Sequence, residues 1–254
     1  MGALDFAGGT VVHVSSGISA LVCALVIGKR RGYGREPMPP HNLPLCLIGA
    51  ALLWFGWFGF NAGSALGANE LAVSAFIATN TAAAAAALTW MFIEWKAIGK
   101  PTILGGATGA VAGLVAITPA AGFVTPLSSI VIGIMVGVVC YTSVAVIKLR
   151  FGYDDSLDAF GVHGVGGTLG ALATGLLAQK LVNPAGNNGL FFGNPGLFLT
   201  QATGVIATAV YAIVVTFVLL KVLEATMGLR VEDEEEVIGL DITQHEESAY
   251  TLLD

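Results

Sequence analysis

Charge is what this chain has least of. Lys, Arg, Asp and Glu make up 11% of its 254 residues against 55% hydrophobic residues, and mean hydropathy is +0.80. A soluble globular domain carries about a quarter charged residues, so the composition excludes one and points to a chain that lives in a bilayer. Cysteine is also scarce: Cys23, Cys46 and Cys140 are odd in number, isolated in apolar runs and without ligand spacing. That excludes a disulfide framework and a zinc site, and leaves them as small hydrophobes. No His-x-x-Glu pattern, nucleophile motif or cofactor fingerprint is present, so neither an enzyme nor a cofactor is expected. The net charge of -6 is concentrated in the tail at Glu232 to Glu236, which gives nucleic acid nothing to bind.

Long apolar runs are abundant. Seven stretches near 5–28, 42–66, 70–93, 102–122, 126–148, 157–181 and 199–226 are each roughly long enough to span a membrane as a helix. The expected fold class is therefore all-α, a polytopic membrane protein. The first run does not read as a cleaved signal, because Asp5 opens it and its basic cluster lies at the far end. Lys29, Arg30, Arg31, Arg35, Lys96, Lys100, Lys148, Arg150, Lys221 and Arg230 fall on one side of the seven spans, and only Lys180 on the other. The positive-inside rule then puts the N-terminus outside and the C-terminus in the cytoplasm of a plasma-membrane protein. This divides the chain into a membrane domain, 1–226, and a cytoplasmic tail, 227–254. Many of the 34 glycines recur at four-residue spacing, as in Gly105, Gly109 and Gly113 or Gly166 and Gly170, the pattern of close helix packing.

Two apolar runs share a motif. Leu4-Asp5 precedes Val12-His13 and Gly17, and Leu157-Asp158 precedes Val162-His163 and Gly167. The charge-derived topology runs the two segments in opposite directions, as an inverted-topology repeat does, with a substrate site where the halves meet. If the first run closes a five-helix set as the sixth does, four spans are missing ahead of Met1, and the chain reads as a truncated product. At 1.5 Å per residue, His13 lies roughly 12 Å beyond Asp5 and His163 roughly 7.5 Å beyond Asp158, so both rings fall near mid-membrane. A single buried histidine is more simply a packed one; the pairing is what points to a conduction path.

A neutral imidazole donates from one nitrogen and accepts at the other, so two adjacent rings can line an apolar conduit with hydrogen-bonding atoms. Asp5 and Asp158 open their helices, where a carboxylate caps free N–H groups; Asp5 would also raise cation occupancy on the outer side through its field. Trp54 to Ser64 ends the second run at the external face, where belt anchoring is the simpler alternative to a site role for Trp54 and Trp57. Phe60 and Ser64, four apart, put an aromatic face beside a hydroxyl, a pairing suited to a small cation shedding water.

Five strings carry a family resemblance: Gly2 to His13, Trp57 to Ser64, Ala116 to Gly122, Asp154 to His163, and the tail from Gly228 through Arg230, Gly239, Asp241 and His245 to Ala249-Tyr250. The chain resembles the second part of an ammonium transporter of the Amt/Rh family, lacking about the first four helices. The resemblance implies a partial inverted-repeat fold in a homotrimer with one pore per subunit. His13 and His163 would be paired pore histidines, Phe60 the inner member of a phenylalanine gate, and Trp57 a further residue of the gate and recruitment set. Ser64 would belong to an outer recruitment site, and Asp5 and Asp158 would give structural and electrostatic support. The tail would contact neighbouring subunits and a PII-type signalling protein. The expected function is to gather ammonium outside, deprotonate it and pass ammonia along the histidines, with methylammonium as a further substrate. The alternatives are an ammonium sensor signalling through its tail, an inactive fragment and, least supported, an intramembrane enzyme.

Overall fold

A computed structural model describes residues 2–248; the matched pair Ala249-Tyr250 lies outside the described residues. Helices α1 (Gly9–Ile27), α2 (Leu43–Gly63), α3 (Glu70–Ile98), α5 (Pro126–Phe151), α6 (Phe160–Leu177) and α7 (Pro195–Thr226) are long and apolar enough to cross a membrane. α4 (Ile103–Ile117) is shorter, and the tail holds α8 (Asp233–Ile238) and α9 (Leu240–His245). No strand occurs among the described residues.

The helix starts follow from local chemistry. Asn42, Asn69, Thr102 and Thr125 each accept a hydrogen bond from the N–H three residues on, satisfying a donor that the first turn leaves free. Pro126 and Pro195 open α5 and α7, where a missing N–H costs nothing. The expected span 102–122 is helical only to Ile117. Pro119 cannot donate to a continuing ladder, and the chain instead makes tight turns through Thr118 to Phe123, buried throughout.

Packing centres on the alanine face of α3. Ala75, Ala78, Ala82, Ala83 and Ala86 are buried against α4 and α5. A Cβ on Gly113 of α4 or Gly133 of α5 would stand 2.5 Å from the Ala82 carbonyl oxygen, so small residues allow the backbones to touch, the close-packing role read from the glycine spacing. Of the cysteines, Cys140 is buried, Cys23 half-buried and Cys46 exposed, so only the first fully fits the packing expectation. Outward faces of α2, α5 and α7 present Leu, Ile, Val and Phe, the surface a lipid solvent accepts.

The α1–α6 crossing positions the candidate site. A Cβ on Gly17 would lie 2.0 Å from the Gly164 amide nitrogen, and one on Gly167 would lie 2.9 Å from the His13 Cβ. The segment 13–17 thus meets 164–167 in reverse order, as counter-running helices do. α7 packs along both. Its buried Gln201 accepts from the Leu4 amide and donates to the Leu4 and Ala171 carbonyls, which anchors the stretch leading to Asp5.

Candidate functional site

Both histidines sit in a wide, π-helical turn at the start of their helix, Gly9–Val14 and Phe160–Gly164. Such turns insert a residue into the ladder and re-aim a side chain. Here they bring His163 Nδ1 to 3.2 Å from His13 Nδ1, with ring centroids 5.2 Å apart. His13 is 3% exposed, and His163 is half-buried.

Trp57 stacks on His13 at 5.2 Å and 20°, and Phe60 meets both rings edge-on, at 6.2 Å from His13 and 5.8 Å from Trp57. The belt reading of Trp57 is therefore wrong. With 7% exposure it belongs to the interior, because it faces α4 and donates to Thr118 Oγ1 at 2.9 Å. Thr118 Oγ1 also lies 3.3 Å from His13 Nε2. Sequence reasoning missed this residue; its position beside Pro119, where α4 ends, was the available signal. Ser64 lies just past the end of α2, where its hydroxyl donates to the Phe60 carbonyl.

The acidic residues divide differently from the sequence reading. Asp5 Oδ2 accepts from Thr10 N at 3.0 Å and Val11 N at 3.4 Å, which caps the turn carrying His13. The expected equivalent, Asp158, does not cap. Its backbone is left-handed at φ 55, and its carboxylate pairs with Lys148. Asp155 instead accepts from Ala159 N at 3.1 Å and Phe160 N at 2.8 Å. The correction has a simple origin: Asp155 stands eight residues ahead of His163 as Asp5 stands eight ahead of His13, whereas the Leu-Asp match paired residues out of register.

Just past the C-terminal end of α1, Arg30 grips Asp154 through its backbone N–H, Nε and Nη2 at 2.8 to 2.9 Å. Burial alone would push the Asp154 carboxyl up, but the hydrogen bonds and charge of Arg30 outweigh it and hold the group below its ordinary 3.8. A hollow of about 280 Å³ lies beside this pair, bounded by Ala20, Cys23 and Ala24 of α1 and by Asp155. A larger one of about 790 Å³ lies at the α2–α3 turn, lined by Glu70 and Phe76, away from the histidines. The tail reaches the same end of α1: Arg230 donates to the Lys29 carbonyl and to Glu236, which accepts from the Arg31 amide. Glu236 is thus more than a member of a solvated acidic run. No cluster of three or more metal-ligating side chains occurs among the described residues.

A family model described as Ammonium Transporter Family matches residues 1–250. The ammonium transporter of Bacillus subtilis (strain 168) is 55% identical over 250 residues, covering 98% of this chain and 61% of the relative. Ammonium transporter Amt1 of Archaeoglobus fulgidus is 54% identical over 251 residues, covering 99% and 63%. Among solved structures, Saccharomyces cerevisiae Mep2 superposes with a TM-score of 0.85 at 38% identity, covering 91% of this chain and 56% of that one. A structure named Sensor Amt Protein gives 0.87 at 33% identity, covering 96% and 60%. The chain thus spans about three fifths of the length of the curated relatives it matches.

Proposed function

The chain belongs to the ammonium transporter family, whose members are multi-pass membrane transporters and not enzymes, and from that premise we propose that it carries the conduction path for ammonia. The observation that carries the reading is the contact between His13 and His163 at 3.2 Å, with Trp57 and Phe60 stacked against it. An apolar passage penalises a bare cation by several kcal/mol or more, whereas a neutral amine needs only a few hydrogen bonds. Ammonium therefore sheds its proton near Phe60 and crosses beside the imidazoles as ammonia. Ser64 contributes to the outer recruitment site, and Trp57 and Phe60 form the inner wall of the gate. Asp5 and Asp158 support the helices electrostatically. Methylammonium is a candidate second substrate.

The remaining assignments follow the family and the charge pattern. The protein is a plasma-membrane homotrimer with its N-terminus outside, a membrane domain at 1–226 and a cytoplasmic tail at 227–254 that a PII-type protein contacts. Replacing both histidines by Leu and measuring ammonium uptake and discrimination against other cations in vesicles tests the reading. A large fall in flux or in discrimination is expected, and unchanged values for both would overturn it.

A second reading is favoured by the likeness to Sensor Amt Protein and by the tail's contacts with Lys29 and Arg31. In it, occupancy of the path is reported through the tail to a partner. Ammonium-dependent partner binding with no measurable flux distinguishes this reading from transport.

A further inference from the structure

We propose that Thr118 sets the proton register of the histidine pair, so that its one open base is Nε2 of His163. The hydrogens around Thr118 Oγ1 can be placed one by one. A threonine hydroxyl has one hydrogen to give and two lone pairs to fill. Thr118 Oγ1 lies 2.7 Å from the Leu114 carbonyl and donates to it. That carbonyl is buried, and the Thr118 amide turns away from it to Val115, so a hydroxyl aimed elsewhere would strand a buried acceptor. Trp57 Nε1 can only donate, and fills one lone pair at 2.9 Å. His13 Nε2, at 3.3 Å, is left to donate into the other.

The remaining assignments follow in order. A neutral His13 with its hydrogen on Nε2 has a bare Nδ1, so at 3.2 Å the hydrogen between the rings belongs to His163 Nδ1. His163 Nε2 is then bare as well. Three of the four ring nitrogens are committed to protein partners, and the outer ring, stacked under Trp57 and 3% exposed, offers a passing solute no basic nitrogen. Two rings that match in sequence thereby differ in chemistry: the outer one is a fixed wall, and the inner one accepts a hydrogen bond or a proton. This consequence for conduction rests on the transport reading above, while the register itself does not.

The chain has four histidines, few enough for nitrogen NMR of protein labelled at histidine and reconstituted in lipid. Signals are assigned by their loss in His13→Gln and His163→Gln. The expected result is the Nε2–H form for His13 and the Nδ1–H form for His163. Thr118→Val should shift His13 away from a single form, and Thr118→Ser should restore it. The Nδ1–H form at His13 in the unaltered protein, or a Thr118→Val spectrum identical to it, would overturn the proposal; where Thr118→Val fails to fold, the unaltered protein alone decides. The predicted register in vesicles that pass no ammonium would sink the transport reading and leave the role of Thr118 standing; flux with the opposite register would do the reverse.

Discussion

The two histidine segments begin alike and are braced differently. In each, a carboxylate eight residues ahead of the histidine caps the wide turn that aims the ring, Asp5 in one and Asp155 in the other, and a glycine four residues beyond lets the opposite backbone approach. The first segment is tied at its start by neutral hydrogen bonds, between Gln201 and Leu4. The second is tied at its start by ion pairs, Arg30 with Asp154 and Lys148 with Asp158. The symmetric elements are those that bring the rings together, and the asymmetric ones are those that tie each segment to its surroundings. A repeat in sequence thus preserves the crossing while its anchors diverge.

The glycines give the sharpest way to break that symmetry. A methyl at Gly17 would lie 2.0 Å from the Gly164 nitrogen, in rigid backbone, whereas one at Gly167 would meet the His13 Cβ at 2.9 Å and the Gly9 oxygen at 3.1 Å. Gly17→Ala should cost at least the upper part of the roughly 1–3 kcal/mol typical of overpacking, and Gly167→Ala less. Thermal unfolding in detergent measures both, and a neutral Gly17→Ala would show that the helices do not cross there. The caps differ between the segments as well. Asp5→Ala and Asp155→Ala should each lose roughly 0.5–2 kcal/mol. Asp158→Asn keeps a residue that tolerates the left-handed backbone and removes only a partly exposed ion pair, a change of about 1 kcal/mol or less. If Asp158→Asn proved costlier than Asp155→Ala, the sequence alignment of Asp5 with Asp158 would be the better one.

Much of this arrangement was legible beforehand because its causes are local. Apolar length marks spans, and a shared Val-His with a following glycine marks the pair. The sequence reading failed where contact between distant segments decides the matter. Trp57 looks like a belt anchor until α4 supplies Thr118 as its acceptor. Leu157-Asp158 imitates Leu4-Asp5 in letters, but the cap lies three residues earlier. The wide turns carrying both histidines leave no trace in hydrophobic periodicity, because one extra residue in a ladder barely perturbs an apolar stripe. α4 stops at Ile117 since Pro119 follows, a signal that was visible but was outweighed by the apolar run around it.

Acid sharpens the contrast between neutral and ionic bracing. Asp154, held below its ordinary 3.8 by Arg30, contributes stability that is fully present above that value and is lost as pH falls through its lower folded-state value. Its side chain is 1% exposed although that of Arg30 is 45% exposed, so Arg30→Ala leaves a buried carboxylate without its cation, at a cost of roughly 1–3 kcal/mol. Stability measured from pH 6 down to about 3 should fall more steeply in the unaltered protein than in Asp154→Asn, which has no such carboxyl to protonate. Parallel curves would remove the pair from the ionic brace.

The smallest effect belongs to the tail. Arg230 links Lys29 to Glu236, whose carboxyl is held below its ordinary 4.5 by the Arg31 amide and then by Arg230. Sign and exposure limit what it contributes: the contact is complete above that value, weakens as pH falls below it, and lies in water, where such pairs are worth about 1 kcal/mol or less. Arg230→Ala should therefore leave thermal unfolding of the membrane helices almost unchanged while exposing residues 227–248 to faster protease cleavage. Moderate salt should produce the same acceleration in the unaltered protein, since screening acts on this exposed pair and little on the buried Asp154. Cleavage that ignores both Arg230→Ala and salt would show that something other than these charges holds the tail against the C-terminal end of α1.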